Sequence, residues 1–128
     1  MKKILTVLLC LSLAGCATGY HGAGFTGGYS NMKLQDNIFK VTFRGNAYSS
    51  MERTGDFALL RSAEITIENG YKYFVVLEIN SLIKAISYIM PATDMTIECF
   101  QDKPVNVKGM IYDAQQVKTN IKNAYGIK

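Results

Sequence analysis

The sequence is poor in the residues that most often carry catalytic or metal chemistry. Its 128 residues include one histidine, three cysteines and no tryptophan. A Ser–His or Cys–His dyad requires a histidine inside the fold, whereas His21 lies in a glycine-rich stretch. A zinc centre requires histidines or several thiolates. We therefore expect no metal, no cofactor and no histidine-dependent catalysis.

The cysteines cannot form an intramolecular disulfide in the mature chain that we predict. Cys10 falls in a segment with signal-peptide features, and Cys16 is predicted to carry lipid, which leaves Cys99 alone. Cys99 alternates with Met95 and Ile97. This pattern is typical of a small buried residue in a strand and not of a reactive thiol.

Clusters of basic residues are also absent from the mature chain. The formal net charge is +4, but Lys2 and Lys3 lie in the predicted signal peptide, so 14 − 2 = 12 basic residues face 10 acidic ones. No run of lysine or arginine stands out among them. We therefore expect no nucleic acid as a partner.

The amino terminus has the layout of a bacterial lipoprotein signal peptide. After Lys2 and Lys3, the apolar stretch Ile4–Leu13 has ten residues, too few to cross a hydrocarbon core of ~30 Å. Its Leu-Ala-Gly-Cys ending at residues 13–16 resembles a lipobox. That resemblance implies a diacylglycerol on the Cys16 thiol, cleavage before Cys16, and a third acyl chain, such as palmitate, on the new amine. Two or more acyl chains give stable membrane attachment.

The residue after Cys16 bears on which membrane holds the protein. In lipoproteins of Gram-negative bacteria, an aspartate at this position often retains the protein in the inner membrane. Ala17 resembles the default, which is transfer to the outer membrane with the domain on the periplasmic side. We predict a signal peptide over residues 1–15, a lipidated cysteine with a flexible tether over 16–30, and a single domain over 31–128.

The predicted tether contains a sequence that matches the dinucleotide-binding fingerprint. Gly22, Gly24 and Gly27 have the spacing G-x-G-x-x-G. A dinucleotide site also requires a strand before these glycines and a helix that opens at the third one. The surrounding sequence predicts neither, so we interpret the stretch as linker.

The stretch from Phe39 to Ile79 predicts a strand, a capped helix and a second strand. Residues 38–44 alternate as in a half-buried strand. Ser49 and Glu52 have the spacing of a capping box, and Asn69-Gly70 is a helix stop. Residues 71–79 are almost all apolar, which predicts a central strand covered on both faces. The apolar stripe of the helix comprises Phe57, Leu60, Ala63 and Ile67.

The second half of the chain contains further strands and a helix. Residues 82–90 fit either a short amphipathic helix that stops at Pro91 or the two arms of a hairpin. Residues 93–100 alternate, 105–112 predict a short strand, and Asp113 with Gln116 forms a second capping box. The helix that follows has an apolar stripe and ends at Gly126. This order predicts an α+β fold: a small two-layer domain with a mixed or antiparallel sheet of three to four strands and two helices on one face.

Several short motifs along the chain resemble one protein family. They are Phe43-Arg44-Gly45-Asn46, Glu52-Arg53, Asp56-Phe57-Ala58-Leu59-Leu60-Arg61, Ala63-Glu64, Asn69-Gly70-Tyr71, Tyr73-Phe74 and Tyr112-Asp113-Ala114. Together they resemble a family of short lipoproteins of Gram-negative bacteria, most strongly between Arg44 and Val75. The resemblance implies a lipid anchor and a small domain. The family has no assigned activity, so it implies no catalytic residue.

Five charged residues form a candidate structural or binding cluster: Arg44, Glu52, Asp56, Arg61 and Glu64. Glu52 and Asp56, four residues apart on a helix, could act as general acid and base. We favour a structural interpretation, in which Arg61 pairs with Glu64 and Arg44 bridges to Asp56 or Glu64 at the strand–helix corner.

The sequence therefore predicts a membrane-anchored lipoprotein that is not an enzyme and that binds another envelope protein or cell-wall material. The alternative is a small carboxylate-dependent hydrolase of the cell envelope. The binding module requires an exposed apolar patch, for which residues 82–90 are a candidate. The hydrolase requires a concave pocket that contains Glu52, Asp56 or Glu64.

Overall fold

The computed structural model describes residues 19–24, 27–46, 49–86 and 88–128, with the backbone alone for residues 81–90. Cys16 and the predicted signal peptide lie outside these ranges. Within them the chain forms five strands and two helices. The elements are β1 (Gly28–Gln35), β2 (Ile38–Arg44), α1 (Met51–Glu68), β3 (Tyr73–Ile86), β4 (Tyr88–Phe100), β5 (Ile111–Asp113) and α2 (Ala114–Tyr125).

The strands form one antiparallel sheet in the order β1-β2-β4-β3-β5. This confirms the predicted small α+β domain, but the sheet has five strands and not three to four. The additional strand, β1, falls mostly beyond the predicted tether boundary at Ser30 and was not predicted. Residues 30–35 of β1 are all exposed, so the strand lacks the apolar alternation by which strands are recognised.

The centre of the sheet is β4 and not the apolar strand β3. β4 lies between β2 and β3, and its side chains Met95, Ile97 and Cys99 are buried as predicted. Near its start β3 is covered on both faces, because Gly109 lies against buried Val75 on the face away from the helices. A bulge at Leu77 then shifts the register, and Leu77 is 51% exposed. The apolar run therefore does not mark a fully covered strand.

Residues 82–86 and 88–90 form the two arms of a hairpin, one of the two predicted alternatives. The pairing of β3 with β4 runs from Tyr73 opposite Phe100 to Ile86 opposite Tyr88. Pro91 lies inside β4, where its carbonyl accepts a hydrogen bond from the Gly45 N–H at 2.8 Å.

The core lies between α1 and one face of the sheet. The strands contribute alternate side chains and α1 contributes the stripe that faces them, so apolar surface is removed from water on both layers. Cys99 is buried and its thiol lies 3.3 Å from the Thr66 hydroxyl; burial raises the pKa of this thiol. The predicted inert role of Cys99 agrees with this position. The main core residues are Phe39, Val41, Phe43, Phe57, Ala58, Leu60, Ala63, Ile65, Phe74, Met95, Ile97 and Cys99.

The helix ends follow the predicted signals with one correction. Ser50, not Ser49, caps α1 and accepts from the Arg53 N–H at 3.0 Å. Ser49 instead accepts from the Asn46 N–H, which closes the turn before the helix. Gly70 has φ +82°, and Asn69 caps the carboxyl end of α1 as predicted. In α2, Asp113 caps the start by accepting from Gln116, and left-handed Gly126 ends it.

Candidate functional site

Two tyrosines outside α1 donate hydrogen bonds to carboxylates of that helix. On the flank towards β1 and β2, the ring of Tyr20 packs 5.0 Å from Tyr29, 5.4 Å from Phe57 and 6.3 Å from Phe43, centroid to centroid. The Tyr20 hydroxyl donates to Oε1 of Glu64. We call Tyr20 and these four partners the amino-terminal latch.

Burial and charge keep the Tyr20 phenol protonated. Burial raises the pKa of Tyr20 most, and the hydrogen bond to Glu64 raises it further. A protonated phenol is the donor that an ionised carboxylate needs, and hydrogen bonds to charged groups are stronger than neutral ones. The latch therefore joins residue 20 to the middle of α1 by both packing and a polar contact.

The backbone before β1 is also bonded to the domain. The Tyr29 N–H donates to the His21 carbonyl at 2.8 Å, and the Ala23 N–H donates to the Tyr29 carbonyl at 2.8 Å. Gly28 has φ +116°, and a Cβ there would lie 2.5 Å from the His21 carbonyl oxygen. The prediction of a flexible tether through residue 30 is therefore wrong for its described part. The glycines serve a tight turn into a strand, not a turn into a helix.

Arg61 secures the same flank from outside. Its guanidinium lies 4.3 Å from the centroid of the Tyr29 ring, a cation–π contact. It also donates to Glu68 at 3.1 Å and to Asn31 at 3.2 Å. The predicted pair of Arg61 with Glu64 is wrong, because Glu64 is turned towards Tyr20 and Arg61 reaches two turns along the helix.

Helix α2 supplies the second tyrosine–carboxylate pair, and its Tyr125 ring packs 4.9 Å from the latch residue Phe57, centroid to centroid. The Tyr125 hydroxyl donates to Oδ2 of Asp56 at 2.5 Å. Burial and then this hydrogen bond raise the pKa of Tyr125 to about 12. The Arg53 guanidinium lies 5.4 Å from the Tyr125 ring and 4.8 Å from the Phe57 ring. This contact ties the end of α2 to the start of α1.

Beside this pair an apolar groove opens between α1, β3, β4 and β5, with a volume of about 420 Å³. Helix α1 and the helix-side face of the sheet form its walls, and Asp56 is the charged residue in its lining. Two of the apolar residues are largely exposed: Ile79 at 55% and Met110 at 68%. The lining consists of Gly55, Asp56, Leu59, Val76, Ile79, Met95, Met110 and Tyr112.

The five charged residues singled out from the sequence do not form one cluster. Arg44 is exposed and shares the face of β2 with Lys40 and Thr42, which is the face away from α1. The predicted bridge from Arg44 to Asp56 or Glu64 is therefore wrong, because strand alternation directs its side chain to the other side of the sheet. Lys33 forms an ion pair with Asp36, and Arg61 forms one with Glu68.

Glu52 and Asp56 share one helix but have different surroundings. Glu52 is exposed in the first turn of α1, whereas Asp56 is half-buried, holds Tyr125 and lines the groove. Glu64 lies two helical turns beyond Asp56 and holds Tyr20. Asp56 and Glu64 thus hold different tyrosines, whereas Asp56 and Glu52 both contribute to the raised pKa of Tyr125.

Sequence reasoning missed Tyr125 and Gly55, and it left open whether Tyr20 contacts the domain or the membrane surface. Tyr20 sits in a glycine-rich stretch without periodicity, so no pattern marks it as part of the core. Tyr125 follows the apolar stripe of α2, and its position near the end of a helix carries no signal of a partner. Gly55 did give a signal, because a glycine inside a helix is unfavourable unless something requires it.

In the parts of the chain that the structure covers, no three histidine, cysteine, aspartate or glutamate residues lie close enough together to share a metal ion. Neither α1 nor α2 combines the length and apolar composition needed to cross a membrane, and the search extends to the described residues alone. Comparisons of the chain with protein-family models, with curated proteins and with solved structures find no match.

Proposed function

We propose that this protein is a lipid-anchored binding module of the cell envelope, without catalytic activity, held close to the outer membrane on its periplasmic side. The observation that carries the proposal is the amino-terminal latch. Tyr20 is the fourth residue after Cys16, so at most about 14 Å of extended chain joins the proposed lipid to the folded domain. A flexible linker of the predicted length would have left the domain free to move well away from the bilayer.

A close, fixed attachment favours a module that presents one surface at the membrane. The latch joins the anchor segment to α1 through Glu64 and to the sheet through Phe43. The orientation of the domain relative to its anchor is therefore restricted. The partner in this proposal is material of the envelope, either another protein or a component of the wall or membrane.

The absence of catalysis in this proposal is supported by the use of the acidic side chains. Glu64 accepts from Tyr20, Glu68 from Arg61, and Asp56 from Tyr125. General acid–base catalysis requires two titratable groups within reach of the same substrate atoms. Along α1, Asp56, Glu64 and Glu68 instead accept from three different residues.

One observation favours the alternative of a carboxylate-dependent hydrolase: Asp56 lines a concave groove. Among the described residues that line the groove, Asp56 has no second acidic or basic side chain beside it, and the rest of this lining is largely apolar. Incubation of fragment 17–128 with model esters and peptidoglycan fragments tests this alternative. Turnover that is lost in Asp56→Asn would establish a hydrolase; we expect no turnover that depends on Asp56.

The anchor is tested by labelling cells with radioactive palmitate. We expect label on the natural chain and on Cys99→Ala, which is the matched control. Cys16→Ala should remain an unlabelled, uncleaved precursor. Label on Cys16→Ala equal to that of the natural chain would disprove the anchor. Density fractionation of the membranes tests the location, and Ala17→Asp should move the protein from the outer to the inner membrane.

The short attachment is tested by neutron reflectometry of the lipidated protein on a supported bilayer. We expect the protein layer to begin at the lipid headgroups, with no water layer between them wider than the reach of the chain. Insertion of twenty Gly/Ser residues between Thr18 and Gly19 is the control and should create such a layer. A wide water layer beneath the natural protein would contradict the proposal.

A further inference from the structure

Gly55 lies in the wall of the groove, at a position where the fold does not require a glycine. It is the fifth residue of α1, inside the helix, where glycine is less favourable than alanine. No heavy atom lies within 4 Å of the position that a Cβ would take, and its φ is not in the left-handed region. Neither packing nor backbone geometry therefore requires glycine. The missing side chain leaves space at the wall of the groove.

The rest of the wall fits an apolar, flexible molecule. Leu59 and Val76 form its sides, and Met95 and Met110 contribute unbranched side chains that adapt to ligands of different shape. Ile79 and Met110 are more than half exposed at the mouth. An occupant would cover these side chains. The volume of about 420 Å³ lies within the range of small-molecule sites.

Asp56 sets the charge of the head group that such a molecule can carry. Tyr125 occupies its Oδ2 oxygen, and a carboxylate can accept several hydrogen bonds, so Asp56 retains capacity to accept from a ligand. It therefore favours a donor such as a hydroxyl or an ammonium group. A carboxylate or phosphate head group would be repelled in this partly apolar setting.

We propose that the groove binds a single-chain amphiphile whose alkyl chain lies against Leu59, Val76 and Met95 and whose hydroxyl or ammonium head group donates to Asp56. This inference rests on the proposed binding function and specifies its ligand class. A domain held within about 14 Å of a bilayer is in a position to meet such molecules. The binding itself depends on the groove alone and not on the lipid at Cys16.

Fragment 17–128 is suited to the test because it contains every residue of the described fold. The probes are octanol, octylamine and octanoate, each below the concentration at which it forms micelles. Methionine methyl NMR reports on the groove through Met95 and Met110, and Met32, which is exposed on β1, serves as an internal control. We expect octanol and octylamine to shift the first two signals and to leave Met32 unchanged.

Chain length and head group give two further readouts. Each added methylene should tighten binding about fourfold until the groove is filled. Octanoate should bind at least tenfold more weakly than octylamine, and Asp56→Asn should remove most of this preference. Equal binding of octanoate and octylamine by the natural chain would overturn the assigned head group. No shift at Met95 and Met110 with any of the three probes would overturn the site.

Gly55→Leu separates loss of the site from loss of the fold. The substitution places a strong helix former inside α1 and fills the groove, so the melting temperature should be unchanged or higher while octanol binding is lost. Ala124→Leu, which adds a leucine at an exposed position of α2, is the matched control and should retain binding. Undiminished binding in folded Gly55→Leu would overturn the proposal. Palmitate labelling of the natural chain tests the anchor independently, so failure of the groove and failure of the anchor are distinguishable.

Discussion

The two flanks of α1 differ in how they are covered. The flank towards β1 and β2 is packed against the amino-terminal latch, whereas the flank towards β3 borders an open groove. Two carboxylates of α1 each accept a hydrogen bond from a tyrosine: Glu64 from Tyr20, and Asp56 from Tyr125. On the first flank the tyrosine ring is packed among aromatic residues of the sheet. Tyr125 also packs against Phe57, but its partner Asp56 lines a groove on the second flank that remains open. The segment nearest the proposed anchor therefore packs against the core, and the far flank borders the groove for which we propose a ligand.

Removal of the segment that closes the first flank should have the largest effect. Fragment 31–128 lacks Tyr20 and Tyr29 and exposes Phe43 and Phe57. Loss of one fully buried aromatic side chain typically costs ~3–5 kcal/mol. Because this fragment loses two half-buried rings and the start of β1, we expect the free energy of unfolding to fall by about 3 kcal/mol relative to fragment 17–128. Urea denaturation measures the difference. Fragment 19–128 is the control, and equal midpoints for 31–128 and 17–128 would show that the segment is a tether after all.

Single hydroxyl deletions compare the two flanks directly. Tyr20→Phe removes a donor to Glu64 in a packed setting, and a hydrogen bond to a charged group contributes about 1.5–3 kcal/mol. Tyr125→Phe removes the equivalent donor to Asp56 in a more exposed setting, where we expect ~0.5–1 kcal/mol. Thermal unfolding of both variants shows which hydroxyl contributes more to stability. A larger cost for Tyr125→Phe would reverse the comparison.

Gly55→Ala should change stability in the opposite direction. Alanine is more favourable than glycine inside a helix by up to ~1 kcal/mol, and nothing within 4 Å obstructs its methyl group. We expect a raised melting temperature together with a narrower groove. A lowered melting temperature would mean that Gly55 has a structural role, and the open flank would then lose its functional interpretation.

The smallest expected effect is a loss of stability in alkali. Tyrosine has an ordinary pKa of about 10, and the folded state raises the pKa of Tyr125 to about 12. Between these values the folded state keeps a proton that the unfolded state loses, so stability is full below pH 10 and falls as pH rises towards 12. The pKa of Tyr20 is also raised. Tyr125→Phe should flatten the fall between pH 10 and 12 measured by urea denaturation, and an unchanged slope would contradict the assigned pKa.

The fold was predictable where apolar residues keep a regular period and turns have strong signals. The alternation of β2, the stripe of α1 and the stops at Gly70 and Gly126 all identify their elements. β1 was missed because residues 30–35 are exposed, so they show no apolar alternation. Hydrogen bonding to β2, and not burial, defines this strand. The apolar run of β3 was misread as central because a continuous run does not reveal a bulge.

The site was less predictable because its contacts join residues far apart in sequence. Glu64 and Tyr20 are 44 residues apart, and Asp56 and Tyr125 are 69 apart. Sequence spacing suggested partners that are nearer in sequence. Arg61 was paired with Glu64 because residues three apart on a helix are neighbours, and Arg44 was paired with Asp56 because the strand end and the helix are close in sequence. Gly55 was visible in the sequence, but its meaning depends on the empty space beside it.

A double-mutant cycle of Tyr20→Phe with Glu64→Gln in fragment 17–128 tests the central claim most directly, since it measures the contact that joins the anchor segment to α1. The coupling is obtained from the free energies of unfolding of the two single variants, the double variant and the natural sequence. We predict a coupling of about 1.5–3 kcal/mol, as for a hydrogen bond to a charged group in a partly buried setting. A coupling near zero, with each single variant as stable as the natural fragment, would contradict the latch and with it the short, oriented attachment of the domain to the membrane.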